Sequence, residues 1–485
     1  MARVTLVNPP DDLEQMLGAG KAFIQKYEPL GLLYIAAVLA ERGHEVAVVD
    51  CFAEGLNLDE LIARIDSLAP DVIGVSVLTC HGAAAYELGQ RIKATDSHPL
   101  VVFGNIHASV FAANYLGCGC ADVVVHGDGE PAMIELVAGH EAGRFPRHLK
   151  GISFRSPDGQ IVRNPGSNAV ADLSKLPAPR RDLVDQRLYG LENISNQLWT
   201  SDSGAAKTMV TSRGCKNRCT FCVVHGSKVP RYNSAENVLD ELEILERDFG
   251  ASYVYIQDPL FLGHRRRARA ICDGIRRRGL SIRWGCDAHV RDINPEMVRL
   301  LARANCYELS LGFESGVQRL LDTVNKQTRV EEGLTAARTV KEHSDILLEG
   351  LFILGIPGET PEDTLRTIRY ACELPIDMAQ FSLFTPYPGS PIFNDLAARG
   401  EIDTGARGGR GLAPEVWQRY SAYACFSGIE PAWITPEHTK DGLMALQKRA
   451  LREFYLRPSQ VWRQLKRVRP NNLLTMARVA LKGFF

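Results

Sequence analysis

The stretch Thr211-Ser-Arg-Gly-Cys215-Lys-Asn-Arg-Cys219-Thr-Phe-Cys222 decides how the chain is read. Its C-x3-C-x2-C spacing offers three thiolates to a metal centre and leaves a fourth valence unfilled. A closed [4Fe–4S] cluster takes four cysteines, so three would leave one iron open to a small molecule. The same residues also allow a zinc knuckle with His225 as fourth ligand, because zinc favours four Cys and His ligands.

Outward from this loop, residues 208–400 alternate apolar runs with helical periodicity. Strands are expected at Thr208–Ser212, Tyr253–Gln257, Ile282–Cys286, Glu308–Phe313, Leu347–Leu354 and Ala379–Phe384. Helices are expected at Ala235–Phe249, Ala268–Arg278, Pro295–Ala304, Val317–Leu321, Val330–His343 and Pro361–Glu373. Six such repeats predict a partial (β/α)6 barrel, in which chemistry belongs at the C-terminal strand ends. The cysteine loop follows the first of these strands directly, at that face.

With the aromatic Phe221 before its last cysteine, the loop resembles the signature of the radical S-adenosylmethionine (SAM) enzymes, whose core is such a partial barrel. The resemblance implies that Cys215, Cys219 and Cys222 are catalytic cluster ligands, with Phe221 beside the cofactor. The open iron would chelate the amino and carboxylate groups of SAM, and one electron would release a 5′-deoxyadenosyl radical. That electron implies an external donor of flavodoxin or ferredoxin type. Two further segments are similar to the family's SAM-binding positions. Gly312-Phe-Glu314-Ser315-Gly316 would meet the ribose and amino group, and Gly355-Ile-Pro-Gly-Glu359 the adenine. Asp258 stands at another such position, although Pro259 departs from the acid often found there. Each segment also fits a plain strand-to-helix turn whose acid favours the helix dipole.

Residues 1–150 show the same strand–helix rhythm. Strands are expected at Val4–Asn8, Glu45–Asp50, Asp71–Val77, Leu100–Asn105 and Asp122–His126. Helical patterns at Leu30–Arg42, Leu58–Leu68, Ala83–Lys93, Phe111–Tyr115 and Pro131–Val137 complete an α/β, Rossmann-like doubly wound domain. Ligands of such sheets bind outside the C-terminal strand ends, where the strand order reverses. No G-x-G-x-x-G follows the first strand, which disfavours a dinucleotide. The loops instead resemble the cobalamin-binding domain that precedes the core in one branch of the radical SAM enzymes. The matching pieces are Asn8-Pro9-Pro10, Pro29-Leu-Gly-Leu-Leu-Tyr34, Gly104-Asn-Ile-His107 and Gly127-Asp-Gly129-Glu130, with Ser76 ending the third strand. The D-x-H-x-x-G motif that supplies a histidine to cobalt is absent, as is usual in this branch. His107 is read either as a contact to the corrin or its tail, or as a buried core histidine.

Residues 151–207 are turn-rich and are read as a connector, and residues 401–485 as a helical C-terminal region. The latter is basic: Lys448, Arg449, Arg452, Arg457, Arg463, Lys466, Arg467, Arg469, Arg478 and Lys482 stand against Glu453, with apolar residues interleaved. It suits either a helical cap with a solvated basic face or peripheral contact with an anionic membrane. Across its 485 residues the chain has 45% hydrophobic and 23% charged residues and a net charge of -1, which argues against a nucleic-acid partner. It lacks an apolar run of about 18 residues that could span a membrane, and no signal peptide is recognised at Met1. The twelve cysteines are too sparse for a disulfide scaffold and suit the reducing cytoplasm. Cys118 and Cys120 could form a second metal pair but lack partner ligands.

Joined, the two resemblances imply a C-methyltransferase that uses a 5′-deoxyadenosyl radical and methylcobalamin on an unactivated carbon of a small molecule. A non-methylating ring cyclase, such as the anaerobic magnesium-protoporphyrin ester cyclase of the same branch, has the same domain order. A non-catalytic cobalamin or Fe–S sensor is disfavoured, since it would not need the SAM-binding segments.

Overall fold

Short valine-rich runs, of which Val4–Val7 and Val46–Val49 are typical, favour strands that are buried on both faces. In the computed structural model, which describes residues 1–18, 26–95, 98–190, 205–226, 229–406 and 413–467, these runs build the first of two sheets. Strands β1 (Arg3–Asn8), β2 (Glu45–Asp50), β3 (Val72–Ser76), β4 (Leu100–Gly104) and β5 (Val123–Val125) are parallel, in the order β2-β1-β3-β4-β5. This is a doubly wound sheet whose order reverses between β1 and β3. Beyond β5 the sheet continues antiparallel through β6 (Ile152–Arg155) and β7 (Ile161–Arg163), both inside the stretch expected to be a connector. These strands are only four and three residues long, too short to give a periodic signal, and the Ser156–Gln160 turn closes them into a hairpin.

A second difference lies after β4. Instead of one helix at Phe111–Tyr115, two short helices occupy Asn105–Val110 and Ala112–Gly117. The first begins at the strand end itself, which carries His107 into the core.

The second sheet is all parallel and follows chain order: β8 (Ala205–Met209), β11 (Ala251–Ile256), β12 (Arg283–Ala288), β13 (Cys306–Glu314), β14 (Leu347–Leu354) and β15 (Met378–Leu383). Between β8 and β11, the two-residue strands β9 (Ser212–Arg213) and β10 (Arg231–Tyr232) pair antiparallel and bracket the cysteine loop. The first barrel strand starts three residues earlier than expected. The C-terminal region covers the open edge of β15. Tyr455, at the end of helix Lys440–Tyr455, exchanges hydrogen bonds with both backbone groups of Ala379, and Gln447 Nε2 donates to Phe381 O at 2.7 Å. An uncovered edge would present unpaired backbone groups. Arg457 and Arg463 donate to the carbonyls of Cys372 and Ile376, so these basic side chains dock the tail onto the barrel. Arg469, Arg478 and Lys482 lie outside the described residues. Among the described residues, no helix is long and apolar enough to cross a membrane.

A buried ion network joins the parts. Arg181, from the 151–207 stretch, donates to Glu28 at 2.5 Å, to Glu241 of the barrel helix Ala235–Arg247 at 2.8 Å and to Thr208 O at 2.7 Å. Lys207 stands 3.6 Å from the same Glu28. Such a network adds little net stability when intact, but losing one member strands buried charge. Arg181→Ala is therefore expected to lower unfolding stability by about 3–5 kcal/mol. A change below about 1 kcal/mol in denaturant titration would place the network in solvent instead.

Candidate cofactor site

The cysteine loop hangs from a carboxylate. Asp258, just beyond β11, is buried and accepts from Thr211 N at 2.6 Å, Ser212 N at 2.8 Å and Thr211 Oγ1 at 2.5 Å. Arg267 donates to Thr211 O at 2.9 Å and Asn233 O at 2.7 Å, fixing the chain on both sides of the loop. Gly214, at φ +86°, then turns the backbone into Cys215. The far part of the loop is held by Thr220 N on Val324 O at 3.0 Å and by Asn325 Nδ2 on Arg218 O at 2.9 Å. Cys219 is buried and Cys215 and Cys222 are half-buried. Burial pushes the Cys219 thiol up to about 11, with Lys326 opposing and the neighbouring thiols adding. Among the described residues, no three Cys, His, Asp or Glu side chains are gathered tightly enough for a single metal ion. Three thiolates on one loop, each binding its own iron, suit a cluster. The side chain of His225 lies outside those described, so the zinc arrangement has no geometry here. Phe221 packs into the apolar layer beneath the first sheet.

Facing this loop, the C-terminal ends of the first sheet open into a cleft of about 250 Å3. Leu6, Leu30, Val102, Val125 and Met133 make it apolar, and Gly31 and Gly104, where a Cβ would meet nothing within 4 Å, keep its walls low. Ser76, Asn105, Asp128 and Glu130 give it a polar rim. Asn105 is a non-glycine residue at φ +75°, a strained conformation of the kind that clusters at ligand sites. Two residues of the second unit, Val210 and Arg213, complete the lining. Arg213 donates to Glu130 at 2.6 Å, stands 3.2 Å from Asp128 and lies over the Tyr34 ring at 5.5 Å. The cleft and the cysteine loop therefore share a residue.

Several expected contacts lie elsewhere. Asn8 does not line the cleft but donates to Asp50 at 2.8 Å, and Pro9 is buried. His107 is fully buried against Trp417, with ring centroids 4.3 Å apart, and its Nδ1 faces Thr79 Oγ1 at 3.3 Å. Burial pushes its pKa down to about 3. In this structure His107 is a core side chain and does not line the cleft. Ser315 points into the fold, bonded to Thr367 Oγ1 at 3.0 Å and Val317 N at 3.1 Å. Glu359 closes its own turn, accepting from Gly355 N and Ile356 N at 2.9 Å and from Thr364 Oγ1 at 2.6 Å. Its burial raises the carboxyl to about 7 against those bonds. Gly355, at φ +82°, makes that turn possible under Leu443. Asp258, expected at a cofactor, gives Oδ1 to the Thr211 and Ser212 amides and Oδ2 to the Thr211 hydroxyl. Glu314 remains at the site. Its strained backbone, at φ +63°, presents the carboxylate to Lys326 at 2.6 Å beside Cys219. Gly312 leaves room for this pair, since a Cβ there would come within 2.4 Å of Glu314 Oε1.

Residues 20–137 match the B12 binding domain model and residues 209–371 the Radical SAM superfamily model. An uncharacterized methyltransferase of Pyrococcus horikoshii is 28% identical over 461 residues, covering 94% of this chain and 93% of the relative. The chain is a B12-binding radical SAM enzyme. An anaerobic magnesium-protoporphyrin IX monomethyl ester cyclase of Rubrivivax gelatinosus is 27% identical over 391 residues, 79% of this chain and 69% of the relative. The fold also matches the radical SAM methyltransferase TsrM from Kitasatospora setae, with TM-score 0.69 and 21% identity over 95% of this chain and 90% of that one. The cofactors of the enzyme are thus cobalamin, a [4Fe–4S] cluster and SAM. The chemistry of the two sites fits them: a glycine-walled apolar cleft for a large flat ligand, and three thiols on one anchored loop for a cluster with an open iron.

Sequence reasoning missed Arg213, Asn105 and Lys326. A Gly-Asn pair ending a strand signals a left-handed turn, but nothing local discloses the partners of the two cations. Two outcomes follow from this geometry. Asp258→Asn should speed amide exchange at Thr211 and Ser212 about tenfold or more, because a mismatched buried partner costs about 1–3 kcal/mol; unchanged exchange would mean that the carboxylate does not hold the loop. At Gly104 (φ -142°, ψ -173°) a Cβ would meet nothing within 4 Å. Gly104→Leu should thus fold normally yet lose cobalamin, read from the visible spectrum after gel filtration; full retention would move the cofactor out of this cleft.

Proposed function

We propose that the enzyme transfers a methyl group to an unactivated carbon of a small-molecule substrate. The observation that carries this reading is the sharing of Arg213: it begins the cysteine loop and also walls the cleft that the B12-binding unit opens toward the barrel. When bound, the cofactors supply a carbon-centred radical on one side and a methyl group on the other. The chain's own residues do the rest. Cys215, Cys219 and Cys222 hold the cluster, and the Glu314–Lys326 pair, neutral as a unit, stands beside Cys219. Gly31 and Gly104 let the ligand approach the backbone, while Ser76, Asn105 and Glu130 offer it polar contacts at the rim. Phe221 and the apolar layer behind it exclude water from the space between the loop and the first sheet, where a radical would otherwise be quenched. The electron would come from an external donor of flavodoxin or ferredoxin type.

The name of the Pyrococcus horikoshii relative, which spans nearly the whole chain, supports methylation. The ring-cyclase reading rests on the Rubrivivax gelatinosus relative. The fate of the SAM methyl group separates them. Anaerobically reconstituted protein, holding about four irons per chain, should with dithionite and its substrate give S-adenosylhomocysteine and 5′-deoxyadenosine in equal amounts. Alanine at Cys215, Cys219 or Cys222 should remove the iron and the deoxyadenosine together. Deoxyadenosine without S-adenosylhomocysteine would overturn methylation in favour of the cyclase.

A further inference from the structure

The first sheet carries a second sulfur site at its other end. The turn Cys118-Gly-Cys120 links helix Ala112–Gly117 to the N-terminal end of β5, the end of that strand away from the cleft. Gly119 lies at φ +75°, a conformation L side chains rarely adopt, and it curls the chain so that both thiols face the same way. Their sulfurs stand 2.8 Å apart, inside van der Waals contact and close to the roughly 2.05 Å of a disulfide. Both flanks hold the turn. Gln90 Nε2 donates to Cys118 O at 2.8 Å and to Cys120 Sγ at 3.2 Å. Arg155 Nη2 donates to the carbonyls of Leu116 and Gly117 at 2.6 and 2.9 Å. Close packing on Gly89 leaves Cys120 no freedom to retreat, since a Cβ at Gly89 would lie 2.7 Å from the Cys120 Cβ. Cys118 is half-buried and reachable from solvent, whereas Cys120 is buried.

We propose that Cys118 and Cys120 form a redox-active dithiol that closes to an intramolecular disulfide when it meets a low-molecular-weight disulfide. Cys118 attacks as the thiolate. The hydrogen bond from Cys120 lowers its pKa, and Cys118 is the half-buried sulfur of the two, the one a small disulfide can reach. One sulfur of the small disulfide joins Cys118 and the other leaves as a thiol. Cys120 then attacks the Cys118 sulfur, the second small thiol leaves, and its proton comes from Cys120. The protein gives up two electrons and two protons, and one small disulfide becomes two thiols.

The test uses the full-length reconstituted enzyme, treated anaerobically with glutathione disulfide, alkylated, digested and weighed by mass spectrometry. The peptide holding Cys118 and Cys120 should lose two hydrogens and resist alkylation, and dithiothreitol should restore both. Cys120→Ser should accumulate one glutathione on Cys118, and Cys118→Ser should leave Cys120 unmodified. Both variants should bind cobalamin as the parent does, which confirms their fold. Free thiols at both positions after treatment, or no trapped glutathione in Cys120→Ser, would overturn the proposal. So would a metal ion that co-purifies with the parent and is absent from both variants.

Discussion

The structure depends on the pairing of Arg213 and Arg231 with the Gly127–Glu130 turn. These arginines lie on β9 and β10, the two short strands that bracket the cysteine loop. Arg213 bonds Glu130 and stands beside Asp128, and Arg231 bonds Asp128 as well. Burial alone would raise the Asp128 carboxyl, but Arg231 and Arg213 hold it below its ordinary value. Charge-assisted bonds of this kind are roughly twice as strong as neutral ones and gain further where water is scarce. Both ends of the loop are thereby bolted to the rim of the cleft.

The other long-range contacts serve the same end. Parallel sheets put their chemistry at the C-terminal strand ends, and two such sheets can share a site only if those ends face each other. The Arg181 network sets that approach from one side. On the other, Trp417, Tyr420, Phe384 and Phe393 fill the space beneath the first sheet, in one apolar cluster with Val75 and Phe103. Asp258 then fixes the height of the cysteine loop above the barrel. The proposed methyl transfer from one cofactor to a carbon activated by another would need this rigidity, because misplacement of about 1 Å can cost two orders of magnitude in rate.

Local pattern was enough for the elements and the loop. Leu347–Leu354, Val330–His343 and Pro361–Glu373 were readable to the residue, since apolar periodicity, caps and turn residues agree there. The cysteine spacing and the glycine turns likewise pointed to both cofactor regions. Direction of side chains was less legible. Ser315 and Glu359 sit in motifs that suggested a ligand, yet each satisfies backbone or hydroxyl groups of its own turn. His107 looked like a loop residue until the helix starting at Asn105 carried it into the core. Asp258 was noticed, but its role depends on backbone amides about 47 residues earlier. Arg213 was in plain view and carried no local sign, because its partner Glu130 lies 83 residues earlier, at the start of the helix that follows β5.

The proposed meeting of both cofactors at one cavity is tested directly by pulsed dipolar electron paramagnetic resonance. Enzyme loaded with cob(II)alamin and a one-electron-reduced cluster carries two unpaired spins. A resolved coupling between them is expected, weakening when Arg213→Ala and Arg231→Ala together release the loop from the turn. Two fully occupied sites with no measurable coupling in the parent enzyme would contradict it.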